Sequence, residues 1–230
     1  MSKPPSSIPS GAPALWQQLG ATAQALQAVR AGQSSSTALA AVPASLRPGV
    51  QALLFQVLRQ LGRAQPLRQQ LAPRTPPPAL DALLCTALAL AWDEASAPYA
   101  PFTLVNQAVE AAKRGPVARQ AGFVNACLRR FLREREALLA TIEADPVASS
   151  NHPAWWLQRL RQDWPTQWQA IVAANQQHAP MALRVNLQKT TLAQYQQALA
   201  AMDLEAHPVG DCGLLLRQPQ PVQRLPGWSE

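Results

Sequence analysis

The sequence predicts a mainly α-helical chain, with a helical bundle running to about residue 143 and a small α+β unit after it. Three observations carry this. Apolar residues recur at helical spacing in successive segments up to Ala140; most of the 22 prolines punctuate those segments instead of interrupting them; and beyond Glu143 the apolar period changes to two. At 230 residues, 48% hydrophobic and 14% charged, the chain has the length and composition for two cored domains and is too apolar for wholesale disorder.

Residues 1–12 are read as a disordered tail, with no apolar run behind a charged start and so no signal peptide. From Ala14 to Arg30, Leu15, Leu19, Ala23 and Leu26 share one helical face, and Gly32 follows as the stop. After a serine-rich loop, Pro48 sits at the start of a helix on which Val50, Leu53, Leu54, Val57, Leu58 and Leu61 match the helical template. Arg63–Ala72 reads as a separate short helix, stopped by Pro-Arg-Thr-Pro-Pro-Pro, where missing donors and ring clashes forbid continuation. A further helix restarts at Ala79 and carries Leu80, Leu83, Leu84, Ala87, Leu88, Ala91 and Trp92 to a loop at 93–102. Thr103 stands in N-cap position for the next, with Val105, Ala108, Val109 and Ala112, which ends at Gly115-Pro116. The last helix of the bundle is expected from Ala121 to about Ala140, with Val124, Cys127, Leu128 and Phe131 as its apolar stripe.

Residues 145–153 read as a linker. Two short helices broken near Pro165 follow, carrying Trp155, Trp156, Trp164 and Trp168, a cluster expected to pack between domains in preference to stacking on bases. Met181, Leu183, Val185 and Leu187 alternate with polar or small residues as a half-buried strand does. A helix through Leu192 and Leu199 and two strand-like pieces, Leu204–Val209 and Gly213–Gln218, complete the α+β unit, and residues 221–230 read as a linker.

Charge is concentrated. Residues 1–112 hold 7 basic and 4 acidic side chains, residues 113–135 hold 7 and 1, and residues 136–230 hold 6 and 8, so most of the net +7 lies in one short stretch. Its Lys113, Arg114, Arg119, Arg129, Arg130 and Arg133 are the candidate nucleic-acid-binding residues, at a density of cations suited to phosphate contacts. The competing reading is a solvated helical face. Asn106 and Asn125, poor helix formers inside helical patterns, are expected to hydrogen-bond to neighbouring backbone and fix helix–loop contacts, in preference to binding nucleic acid directly.

Three widely spaced cysteines, Cys85, Cys127 and Cys212, argue against a disulfide framework and for a reducing, cytoplasmic setting. Cys127, on the apolar stripe, is expected to be buried and inert, and His207 with Cys212 is read as structural. His152, His178 and His207 share no ligand spacing, so no metal site is expected. No segment reaches the length of a membrane span, about 18 apolar residues. Neither GxGxxG nor GxxxxGK[ST] occurs, so no catalytic or cofactor-binding residue is assigned.

Asn106-Gln-Ala-Val-Glu-Ala-Ala-Lys-Arg-Gly115 followed by Gly122-Phe-Val-Asn-Ala-Cys-Leu-Arg-Arg-Phe131 resembles the last two helices of the NusB-like domain that opens bacterial 16S rRNA (cytosine-5)-methyltransferases of the RsmB (Sun, Fmu) family. His152–Leu160, Trp164–Asn186 and Leu225–Trp228 resemble that family's small pre-catalytic domain, so the likeness runs in order from about Leu15 to the C-terminus. It implies a NusB-like RNA-binding domain at 13–143, the pre-catalytic domain at 144–220, and a linker at 221–230 towards a Rossmann-like methyltransferase domain expected beyond residue 230. It also implies 16S rRNA as partner and S-adenosylmethionine-dependent formation of 5-methylcytosine through two catalytic cysteines, neither of which maps onto Cys85, Cys127 or Cys212. This chain alone is therefore expected to be inactive. The alternatives are a free-standing NusB-like RNA-binding or antitermination module, and an interaction module whose basic stretch serves only solubility.

Overall fold

A computed structural model describes residues 13–92, 97–177 and 179–228, so the expected tail at 1–12, most of the loop after Trp92 and His178 lie outside the described residues. The chain divides into two compact units, with the boundary after Val172.

The first unit is helical throughout. Helix α1 (Leu15–Arg30) buries Leu19, Ala23 and Leu26 and stops where expected, because Gly32 takes a left-handed φ of 98°. A short α2 (Ser35–Ala40) appears in the serine-rich segment, capped by Ser34, whose hydroxyl accepts from the Thr37 N–H at 3.0 Å. Helix α3 (Arg47–Leu71) is one continuous element with Pro66 inside it, where the sequence suggested two. Its buried stripe explains this. Val50, Leu53, Leu54 and Val57 are continued by Ala64, Leu67 and Leu71 on the same face, so packing along the whole length outweighs the hydrogen bond that Pro66 cannot make.

Helix α4 (Pro78–Leu90) starts on the last proline of the breaker run, and every residue from Leu80 to Leu90 is buried. A helix apolar on all sides belongs at the centre, and α4 packs against α1, α3, α5 and α6. Helix α5 (Pro101–Arg114) begins at Pro101, with Ala100 and not Thr103 in the cap position. A 3-10 turn at Ala118–Gln120 leads to α6 (Ala121–Arg133), and α7 (Arg135–Glu143) follows after a break at Glu134. The break divides what the periodicity joined. It turns Arg135 back onto the end of α4, where its guanidinium donates to the carbonyls of Ala91, at 2.6 Å, and Trp92 and covers the Phe131 ring.

Helix α8 (Pro146–Ser150), capped by Asp145, is pinned to α3. Asn151, at a left-handed φ of 56°, accepts from the Gly62 N–H at 2.5 Å and donates to the Leu58 carbonyl at 3.3 Å. Only glycine admits that approach, since a Cβ on residue 62 would stand 2.6 Å from Asn151 Oδ1. The residues read as a linker are thus bound to the bundle. Helices α9 (Ala154–Asp163) and α10 (Trp168–Gln176) flank the expected break near Pro165, and the boundary between units falls within α10.

The second unit is a three-stranded antiparallel sheet, order β1-β3-β2, built from β1 (Met181–Arg184), β2 (Ala206–Val209) and β3 (Gly213–Leu216), with α11 (Leu192–Ala200) between β1 and β2. Val185, Leu199, Leu214, Leu216 and Leu225 form its core. The strand expected through Leu187 ends at Arg184, and Leu187 is exposed. Gly210, at φ 60°, makes the β2–β3 turn.

Candidate nucleic-acid interface

The six candidate cations lie on α5, the turn after it, and α6. Helix α6 owes its direction to Val124, Cys127, Leu128 and Phe131, all buried, which leaves Gly122, Ala126, Arg129 and Arg133 exposed along one line of its surface. Arg129 and Arg133 stand about 12–18 Å along the axis from the first residue of α6, near which Arg119 sits. Lys113 and Arg114 close α5 on the other side of the turn.

The side chains differ in what they have to offer. Arg114 pairs with Glu110 one turn back and lies 4.8 Å over the Trp16 ring, and Lys113 stands 3.9 Å from the same carboxylate. Arg130 pairs with Glu134 at 2.9 Å and reaches the Gln70 carbonyl at 3.4 Å. Arg129 donates only to Asn125 Oδ1, at 3.1 Å, so the Asn125 side chain meets another side chain and not the neighbouring backbone expected of it. Arg119 and Arg133 are exposed and have no ion pair or hydrogen bond among the described residues. The face therefore presents Arg119, Arg129 and Arg133 openly and holds Lys113, Arg114 and Arg130 beside carboxylates.

Cys127 is 4% exposed, with its thiol 3.9 Å from the Leu71 carbonyl, and burial pushes its pKa up against a smaller opposing pull from Arg130. Cys85 is fully buried and pushed up to about 11 by desolvation, then by the Asp81 charge, with Arg30 and Arg68 opposing. Both thiols stay protonated at neutral pH. His207 faces Leu215 across the β2–β3 ladder, which leaves Cys212 at the hairpin end, so the register does not make them a pair. His152 stacks on Trp156 at 4.4 Å and Trp168 lies under Arg161 at 4.3 Å, whereas Trp155 and Trp164 are 70% and 53% exposed. No cluster of metal-binding side chains and no helix long and apolar enough to cross a membrane occurs among the described residues.

A charge cluster that periodicity did not reveal lies inside the bundle. Asp81, on α4, meets Arg30 of α1 at 2.5 Å and Arg68 of α3 at 2.6 Å, with the Asp81 and Arg68 side chains 4% and 5% exposed. The Arg68 Nε and Asp81 Oδ1 atoms are close without hydrogen-bond alignment, so charge more than directionality holds that contact. Its one signal in the sequence is an aspartate inside an otherwise apolar helix.

The described residues form a helical bundle with a cationic edge followed by a small antiparallel α+β unit, and two families of known proteins match these two parts. The NusB family matches residues 18–133, half of the sequence, and the chain belongs to that family. Residues 152–223 match the ferredoxin-like domain of RsmF/B-like methyltransferases. Among individual proteins, the chain is similar to Ribosomal RNA small subunit methyltransferase B of Vibrio cholerae, 36% identical over 220 residues, covering 91% of this chain and 50% of that protein. The Pasteurella multocida protein of the same name is 32% identical over 210 residues, 89% of this chain and 46% of its own length. The Pseudomonas syringae one is 43% identical over 111 residues, 47% of this chain and 25% of its own. The chain thus spans about half the length of the full-chain relatives. In fold it resembles the crystal structure of PH0851, with a TM-score of 0.61 at 15% identity over 96% of this chain and 52% of that one.

Proposed function

We propose that the chain recognises and positions small-subunit ribosomal RNA for methylation at carbon 5 of a cytosine, within the cytoplasm. The observation that carries this reading is the α5–α6 edge. On the half of the chain that belongs to the NusB family, Arg119, Arg129 and Arg133 stand open to solvent on a surface whose apolar side is spent on the core. The ferredoxin-like match behind it favours the methyltransferase setting over a free-standing NusB-like module.

S-adenosylmethionine, which that chemistry requires, finds no fit among the described residues. The β1-to-α11 connection, Val185–Thr191, is a strand-to-helix turn with no glycine to let a backbone approach the cofactor, and its sheet is wholly antiparallel. On this reading the described residues bind and orient RNA, and no step of methyl transfer is assigned to them.

Titrating fragments of small-subunit rRNA tests the reading. Binding should weaken steeply with salt, and the double variant Arg129→Glu, Arg133→Glu should lose on the order of tenfold in affinity or more without a change in Tm. Undetectable or salt-independent binding would refute it.

A further inference from the structure

The second unit carries a cleft that the proposed RNA face does not use. It follows the outer side of β1, has a volume of about 520 Å³, and is lined by Ala182, Arg184, Lys189, Tyr195, Pro226 and Trp228 among others. Because the Val185 N–H donates to the Cys212 carbonyl at 2.8 Å, the main-chain groups of residues 181, 183 and 185 face β3. Those of Ala182 and Arg184 alternate with them and point the other way, into the cleft, where no strand lies among the described residues. Tyr195 Oη donates to the Pro226 carbonyl at 2.9 Å, and Gly227, at φ 69°, turns the chain there so that Trp228 stands at the rim, 59% exposed.

Among the described residues the lining contains Arg184 and Lys189 and no carboxylate, although Asp203, Glu205 and Asp211 belong to the same small unit. Charges on an edge strand commonly serve to repel other strands. An exposed tryptophan beside them works against that purpose, since it offers an adhesive apolar face. Cations, a flat aromatic ring and unpaired main-chain donors and acceptors together are the equipment for phosphate, base face and base edge.

We infer that this cleft holds an unpaired nucleotide of a single-stranded RNA segment, with its base on Trp228, its phosphates at Arg184 and Lys189, and its base edge at the main-chain groups of Ala182 and Arg184. This rests on the reading of the chain as an RNA-recognising segment and adds a second, strand-selective contact to it.

The test titrates the 230-residue chain with a labelled single-stranded RNA oligonucleotide free of internal pairing and with a duplex of equal length. Trp228→Ala and Arg184→Gln, both at exposed positions, should each weaken single-stranded binding by about tenfold and leave duplex binding unchanged. The oligonucleotide should also slow hydrogen exchange at the Ala182 and Arg184 amides. If the wild type binds RNA and both variants bind the oligonucleotide equally well, the cleft assignment falls while the proposed function stands. If neither RNA binds, both fall. Exchange at those amides that slows with protein concentration, without RNA, would instead assign the edge to strand pairing between copies and overturn the inference.

Discussion

Removing the carboxylates that hold half of the basic face gives the sharpest test of how that face works. Glu110 engages Lys113 and Arg114, and Glu134 engages Arg130, so on the proposed RNA face three of the six cations have a carboxylate beside them and only Arg119, Arg129 and Arg133 bring uncompensated charge. Each phosphate neutralised adds about 0.7–0.9 to the slope of log K against log salt, so three effective cations give a slope of about −2 to −3, and six would give about −4 to −5. Between about 50 and 200 mM salt the first case costs about 15–60-fold in affinity and the second about 250–1,000-fold. Fluorescence anisotropy on a fully paired RNA hairpin stem measures the slope without involving unpaired nucleotides. The wild type should fall in the shallow range, and the double variant Glu110→Gln, Glu134→Gln should bind more tightly and steepen towards the second. The substitutions are mild for the fold, because solvent-exposed pairs of this kind contribute at most about 1 kcal/mol each. A wild-type slope already near −5, unchanged in the double variant, would show that the carboxylates do not restrain the face. A slope near zero would remove phosphate contact altogether.

Asp81→Ala strands Arg68 inside the bundle and should cost about 3–5 kcal/mol in urea unfolding, while Arg68→Met with Asp81→Leu should return to within about 1 kcal/mol of wild type; a small loss in the single variant would refute the buried-charge account. Cys85 should produce an alkaline loss of stability. Its folded pKa, about 11, lies above its ordinary 9.0, so the folded state favours the protonated thiol; that advantage is whole below pH 9 and lost as pH rises towards 11. Unfolding curves of Cys85→Ala should lack this slope, and an unaltered pH profile would count against it. Asn151→Ala removes two hydrogen bonds and places alanine at a left-handed φ, and should lower stability by about 2–3 kcal/mol; hydrogen exchange should show α8 loosening from α3 before the rest of the bundle.

The helices of the bundle could be read in the sequence because each must bury an apolar face, and burial at 3.6 residues per turn leaves a period that survives without knowledge of partners. The same holds for the alternation in β1 and for the stripe that makes Cys127 core and leaves Arg129 and Arg133 outside. The stop at Gly32 was legible because a positive φ selects glycine.

Other features depended on what each element meets. Pro66 stays inside α3 because that helix keeps a buried face on both sides of it, packed against several other helices, and α6 ends at Arg133 because Arg135 finds the carbonyls at the end of α4. Likewise, the sequence places seven cations within 113–135 but cannot tell a free guanidinium from a paired one, since pairing is a matter of a few ångströms between side chains. The cleft beside β1 lies furthest from what periodicity can show. Arg184 and Trp228 are 44 positions apart, and only the path that Tyr195 and Gly227 impose on the chain brings them to the same edge strand. What the sequence by itself determined is therefore the buried faces of the main helices and of β1 and the surplus of positive charge, both set by local burial and composition. Which cations are open, which charge is buried, and where a strand edge has no partner among the described residues were decided by contacts between distant residues, which leave no period behind.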